Sequence, residues 1–363
     1  MKYSIDKEKR PLYLQIYKLI KNDIVEGLFP YNSKLPSKRF LSNELKVSTI
    51  TVEHAYTLLC DEGYVESRER SGYFVVFRQT DGFASSATGS DIKIHSHHSV
   101  SMYPSFSISI LSKTMRKVLT DYQDIILDKS PNFGCNNLRE SIKAYLARNR
   151  GIHVMLDQII VGSGAEYFYG LIINLLGNDK IYAIETPSYK KIQQIYNVFN
   201  VTYELLPLSS DGIDSKALAK SKADVLHTTT YKSFPSGITA SASKRYEYIR
   251  WANTGTRFII ESDYGSEFSV SSQPIEPLFA LSNNDNVIYL NTFSKTISPS
   301  IRIAYMVLPK QLVKPFQGKL GFYSCTVPTF EQYVLTLLIN NGDFERHINR
   351  VRRNKRKELS KKL

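Results

Sequence analysis

Leu12, Ile16, Leu19, Ile20 and Ile24 recur at helical spacing near the start of the chain, and Gly27 with Pro30 stops the run. This predicts one amphipathic helix. Ser37 can cap a second, in which Phe40, Leu41 and Leu45 are expected to face inward. Ser48 can cap a third, with Val52, Tyr56 and Leu59 as its buried stripe and Thr49, Thr51 and Glu53 free on its first turns. Gly63 marks its end, and residues 64–66, 68–72 and 73–76 then read as strand, turn and strand. Beyond about residue 105 the pattern changes. Short apolar runs at 159–161, 181–184, 225–227, 258–260 and 287–290 alternate with helical stretches, which predicts an α/β body with a mostly parallel, covered sheet.

Three short helices followed by a two-stranded ribbon outline a winged helix-turn-helix, whose third helix meets base edges with its N-terminal turns. On that outline Lys38 and Arg39 are candidates for phosphate contacts, Thr49 and Thr51 for base contacts, and Arg70 for the wing. A three-helix domain that binds protein has the same periodicity. Residues 78–104 are small and polar and read as a linker. The chain therefore divides into a DNA-binding domain (1–77), the linker, and a body (105–363).

Composition narrows the classes. Of 363 residues, 42% are apolar and 22% charged, enough for a core in each domain. The net charge of +13 would suit a polyanion, but nine basic residues against two acidic ones between 345 and 363 supply +7 of it, and such a run reads as a solvated helix face. Cys60, Cys135 and Cys325 lie far apart, so neither a disulfide framework nor a zinc site is expected, and His95, His97 and His98 read as exposed polar residues. No signal peptide or membrane span is expected, and a cytoplasmic location fits.

The candidate chemistry lies after the strands, where ligands bind in open parallel sheets. After 287–290 come Asn291-Thr292-Phe293-Ser294-Lys295-Thr296, Pro299 and Arg302. An amine such as that of Lys295 can hold an aldehyde as an imine, while a hydroxyl three residues before it and an arginine seven after it can grip a phosphate. Ser163, Gly164 and Ala165 begin a helix whose amides can cradle the same phosphate. Tyr189 offers a ring to stack on a pyridine, or simply packs. Glu261 and Asp263, before Tyr264, put carboxylates at a strand end, where one of them can pair with a protonated pyridine nitrogen, or they cap a helix or face solvent.

The segments L-P-S-K-R, K-V-S-T-I-T-V-E-H-A-Y, L-x-x-E-G-Y and S-G-Y-F-V, in order over residues 10–77, resemble the GntR family of winged-helix repressors. That family commonly has a basic residue after the cap serine, where this chain has Thr49, and often another where it has Glu53. The body resembles a fold-type I aminotransferase domain, and the whole chain resembles the MocR subfamily of GntR regulators, which includes activators of GABA use and of vitamin B6 synthesis. The resemblance implies pyridoxal 5'-phosphate as cofactor, with Lys295 as its imine lysine. It also implies that Arg302, Thr292, Ser163, Gly164 and Ala165 hold the phosphate, Tyr189 stacks, and Tyr264 bonds the ring hydroxyl.

Three departures matter. The family's E-D-D-Y is Glu261-Ser262-Asp263-Tyr264 here, so Ser262 stands where the aspartate meets the ring nitrogen; either Asp263 substitutes or the nitrogen lacks its carboxylate. The family's S-H-Q-F-P-T-G is Tyr231-Lys232-Ser233-Phe234-Pro235-Ser236-Gly237. The sequence also stops where relatives continue into a small domain carrying a substrate-binding arginine. The expected function is a homodimeric regulator of double-stranded DNA that senses the cofactor, or an amine or amino-acid effector through it, without turnover and without a catalytic residue of its own. The alternatives are a cofactor-dependent aminotransferase with an attached DNA-binding module, and a degenerate regulator whose body only dimerises.

Overall fold

In the computed structural model, Tyr3, Ile5, Asp6 and residues 11–78, 106–270 and 275–360 are described. The chain divides into two compact units, residues 1–96 and 97–363. Apart from Arg78, the expected linker lies outside the described residues, as do His95, His97 and His98.

In the first unit, α1 (Leu12–Val25) buries Ile16, Tyr17, Ile20 and Ile24. Helices α2 (Lys38–Leu45) and α3 (Thr49–Asp61) each begin at a serine. Ser37 Oγ accepts from Phe40 N at 3.2 Å and Ser48 Oγ from Thr51 N at 3.1 Å, caps that contribute about 1 kcal/mol each. Val52, Tyr56 and Leu59 are fully buried, and the Tyr56 hydroxyl donates to Pro36 O at 2.8 Å. One expectation fails: Phe40 is 59% exposed. Leu41 and Leu45, one turn apart, form the inward row, and Phe40 points about 100° away from it. Strands β1 (Val65–Arg68) and β2 (Gly72–Val75) pair antiparallel as the wing.

The second unit runs α4 (Ile108–Tyr122), α5 (Asn136–Arg150), β3 (Ile159–Gly162), α6 (Ala165–Leu176), β4 (Ile181–Thr186), α7 (Lys190–Val198), β5 (Thr202–Ser209), β6 (Gly212–Ile213), α8 (Ser215–Lys220), β7 (Val225–Thr228) and α9 (Ala242–Ala252). It continues with β8 (Phe258–Ser262), α10 (Leu278–Leu281), β9 (Val287–Thr292), β10 (Ala304–Val307), α11 (Lys310–Leu320), α12 (Thr329–Asn340) and α13 (Asp343–Ser360). The eight strands form one sheet in the order β3-β10-β9-β8-β7-β4-β5-β6. Strands β9, β8, β7, β4 and β5 are mutually parallel; β10 runs antiparallel to both neighbours and β6 to β5.

Helices cover both faces. Phe168 and Ile172 of α6, Tyr196 of α7 and Phe316 of α11 pack on Ile260, Ile288 and Leu290. The opposite face packs on α8 and α9 at one end of the sheet and on α5, α12 and α13 at the other. Side chains alternate along a strand, so on β8 Ile260 and Ser262 face α6, whereas Ile259 and Glu261 face the other way. Asp263 follows that second set and is thereby turned from the α6 side. It pairs with Arg150 at the end of α5 and accepts from the Tyr289 hydroxyl at 2.7 Å. Both ions are buried, with side-chain exposures of 6% for Arg150 and 1% for Asp263.

Removing one partner of a buried pair leaves an uncompensated charge. Asp263→Ala is expected to lower the stability of the body by about 3–5 kcal/mol, and an apolar Arg150→Met/Asp263→Leu double variant to recover most of it. Trp251, the single tryptophan, lies in the body, so its fluorescence during denaturant unfolding reads the difference. A loss below about 1 kcal/mol for Asp263→Ala would contradict the pairing.

Candidate functional site

The carboxyl ends of β8 and β9, the N-terminus of α6 and the loop after β9 enclose a cleft of about 180 Å³. Gly164, Ala165, Glu166, Tyr189, Tyr264, Thr292, Ser294, Lys295, Pro299 and Arg302 line it. At one end Gly164 has φ +90°, and a Cβ there would lie 2.8 Å from an Arg302 guanidinium nitrogen. Glycine thus lets Arg302 lie against the backbone at the positive end of a twelve-residue helix, a setting that favours an anion.

Lys295 is largely buried, and its Nζ lies 5.4 Å from the centre of the Tyr264 ring. Burial pushes its pKa down, with Glu267 working the other way, so more of the amine is in the neutral form that attacks a carbonyl. The Tyr264 hydroxyl lies 3.0 Å from that of Tyr169 and accepts from Ser262 Oγ at 3.3 Å. At the rim, Tyr189 donates to Glu166 Oε1 at 3.2 Å. The same carboxylate pairs with Lys191 at 2.6 Å and with Arg302 at 3.5 Å.

The structure therefore brings together Lys295, Arg302, Gly164, Ala165, Thr292, Tyr189 and Tyr264, and separates two other candidates from them. Ser163 does not line the cleft; its amide donates to Thr326 Oγ1 at 3.0 Å. Asp263 is absent from the lining because strand alternation sends it to Arg150. Thr292 does line the cleft, but its hydroxyl donates to Ile303 O at 3.1 Å and accepts from Ser294 N at 3.2 Å, so it shapes the loop. Sequence reasoning missed Glu166, although it directly follows the cradle residues, and it missed Tyr169, whose position on the cleft side of α6 depends on the fold. The donor set suits a phosphorylated aldehyde: a cationic cradle at one end, a buried amine beyond it, and hydroxyl groups below.

In the first unit Thr49 is exposed at the start of α3. The Thr51 hydroxyl lies 2.8 Å from Ser48 Oγ, within the cap. Glu53, expected to be free, is held by Lys38 at 2.6 Å, so Lys38 carries a partner on the surface proposed to meet DNA. Arg39 is exposed, and Arg70 has φ +57° in the wing turn. Among the described residues no helix is long and apolar enough to cross a membrane, and no group of three or more His, Cys, Asp or Glu could hold a metal ion.

Residues 12–75 match the model of the gntR family of bacterial regulatory proteins, and residues 115–363 match aminotransferase class I and II. The HTH-type transcriptional regulator YdeL of Bacillus subtilis is 32% identical over 96% of this chain and 77% of its own length. The Rhizobium meliloti protein described as "Probable rhizopine catabolism regulatory protein MocR" is 24% identical over 94% of this chain and 74% of its own. Among solved structures, Pyrococcus horikoshii kynurenine aminotransferase superposes with a TM-score of 0.63 at 26% identity, covering 69% of this chain and 65% of that one. Fold and site thus define a class in which a DNA-reading winged helix is fused to a fold-type I aminotransferase body. The chain belongs to the GntR family of transcriptional regulators, in its MocR-like branch.

Glu166 already pairs with Arg302 and Lys191, so it stands where it would compete with an incoming anion for them. Glu166→Gln is expected to tighten binding of pyridoxal phosphate roughly threefold at low salt, an advantage that shrinks as salt rises. Equilibrium titration at two ionic strengths measures both, and unchanged or weaker binding would show that Glu166 does not compete.

Proposed function

We propose that this chain regulates transcription by binding operator DNA through α2, α3 and the wing, while its body holds pyridoxal 5'-phosphate and through it senses an amine or amino-acid effector without turning it over. The observation that carries the reading is the meeting of Lys295, Arg302 and Gly164 in one cleft. In this reading Arg302 and the amide of Ala165 hold the phosphate, Gly164 contributes the space in which Arg302 approaches, and the amides of Ser163 and Gly164, committed to Thr326 Oγ1 and Gly162 O, lie outside the cradle. Thr292 fixes the loop that carries Lys295, Tyr189 covers the ring from the rim, and Tyr264 meets the ring hydroxyl. Lys295 holds the aldehyde carbon. When bound, the cofactor supplies an electrophilic carbon that an amine can capture.

The end of β8 disfavours turnover. Chemistry at a substrate α-carbon needs the ring as an electron sink, which a carboxylate at the ring nitrogen maintains, and Asp263 is committed to Arg150. The enzyme reading rests on the likeness of the body to aminotransferases, and steady conversion of an amino acid to its keto acid would establish it. A homodimer is supported by an apolar groove between α4 and α12, lined by Leu111, Met115, Phe330 and Val334. A DNA-binding regulator of this bacterial family works in the cytoplasm.

Two outcomes test this reading. The full chain mixed with pyridoxal phosphate is expected to gain a visible absorption band that hydroxylamine removes and Lys295→Ala lacks; an unchanged band in that variant would move the attachment elsewhere. On DNA, Arg39→Ala is expected to weaken binding to all sequences and reduce the salt-dependence slope by about one unit, whereas Thr49→Ala alters preference among sites. Equal DNA binding by a chain lacking residues 1–77 would remove the DNA reading.

A further inference from the structure

Beneath Tyr264, on the α6 side of the sheet, lies a buried chain of polar groups with no role assigned above. His227 of β7 is 1% exposed. Its Nδ1 is 2.9 Å from the Tyr196 hydroxyl of α7 and its Nε2 is 3.1 Å from Ser262 Oγ. Ser262 is completely buried and donates to Tyr264, whose hydroxyl meets that of Tyr169. Burial pushes the pKa of His227 down to about 3, so its ring is neutral. None of the five side chains carries a charge. The carboxylates of this strand end lie on the opposite face: Glu261 accepts from the amides of Leu278 and Phe279, and Asp263 pairs with Arg150.

The protons of this chain can be counted. Four hydroxyls and one imidazole N–H provide five protons for four links, Tyr196 to His227, His227 to Ser262, Ser262 to Tyr264 and Tyr264 to Tyr169. One proton is left without an acceptor inside the chain. The floor thus has a donor to spare and no anion. Burying a pyridinium there would leave a cation without a counter-charge, which is costly, whereas a neutral pyridine nitrogen accepts the spare proton as a hydrogen bond. Ser262 and His227 do not line the cleft themselves; they lie directly beneath Tyr264, which does, with Ser262 Oγ 3.3 Å from the Tyr264 hydroxyl. In pyridoxal the ring nitrogen is para to the aldehyde carbon, so an aldehyde at Lys295 aims the nitrogen away from the lysine.

We propose that Ser262 and His227 hold the cofactor's pyridine nitrogen in its unprotonated form: the Tyr169 hydroxyl donates to Tyr264, the Tyr264 hydroxyl turns to donate to Ser262 Oγ instead of accepting from it, His227 Nε2–H also donates to Ser262 Oγ, and the Ser262 proton freed in this way is donated to the nitrogen. The Nδ1 atom of His227, accepting from Tyr196, fixes the tautomer that this arrangement requires. Both are positioning residues that tune the bound ring away from carbanion chemistry while leaving the aldehyde carbon open to amines. The inference rests on the reading that this cleft takes pyridoxal phosphate.

The test is 15N NMR of the full chain loaded with pyridoxal phosphate labelled at the ring nitrogen, beside the Lys295-dependent absorption band. The expected wild-type signal is that of an unprotonated pyridine, without a directly bonded proton. Ser262→Asp is expected to move it to the pyridinium position. Ser262→Ala is expected to leave it unprotonated and weaken binding roughly three- to tenfold, the range for one lost hydrogen bond. A pyridinium signal in the wild type overturns this inference while the cleft reading stands. No Lys295-dependent band at all defeats the cleft reading and this inference together. The wild-type spectrum decides even if a variant fails to fold.

Discussion

The carboxyl end of β8 sends successive side chains to opposite faces of the sheet, and the character of the site follows from that alternation. Parallel pairing on both sides locks the register, with Thr228 opposite Glu261 and Leu290 opposite Ser262. A slip by one residue would push Ile260 and Ser262 out of the α6 face and bring charged groups into it. With the register fixed, the α6 side receives the Ser262 hydroxyl, and the far side receives two carboxylates that must be satisfied there. Glu261 is satisfied by two helix amides, although burial still pushes its pKa up to about 7, and Asp263 by Arg150. A one-residue shift in where acids stand along the strand therefore separates a charged strand end beneath Tyr264 from an uncharged one.

Around that floor the remaining groups come from different parts of the chain. The start of α6 offers helix amides, and the loop after β9 carries both Lys295 and Arg302, so one segment spans the amine and the anion cradle. These are the carboxyl ends of parallel strands, where an open α/β sheet leaves room for ligands. The arrangement is suited to retaining a phosphorylated aldehyde and letting an amine compete for its carbon. That is chemistry a sensor can use without completing a catalytic cycle.

Much of the fold was legible because local signals and tertiary demands agree. The run 287–290 reads as a buried strand and is one, as are the other four apolar runs. Ser37 and Ser48 cap the helices their positions suggest. Strand β5 was not legible: it lies near the sheet edge, so Glu204 and Pro207 interrupt its apolar pattern. Strand β10 is four residues long and was hidden behind the loop chemistry of Arg302. Within the site, Lys295 and Arg302 were readable because their spacing is local. The partners that redirect Asp263, Ser163 and Lys38 were not, since Arg150, Thr326 and Glu53 stand 113, 163 and 15 residues away in sequence. His227 looked like one more residue of a buried strand, and only the neighbouring strand end reveals its bond to Ser262.

A ligand-responsive regulatory body must change how the chain meets DNA. The most direct measurement is the affinity of the full chain for a DNA site selected for it in vitro, determined with and without saturating pyridoxal phosphate, for the wild type and Lys295→Ala. A cofactor-dependent change in affinity or in the preferred site for the wild type, absent in Lys295→Ala, is the predicted result. Identical DNA binding in all four conditions, with the cofactor shown to be bound to the wild type, would contradict it.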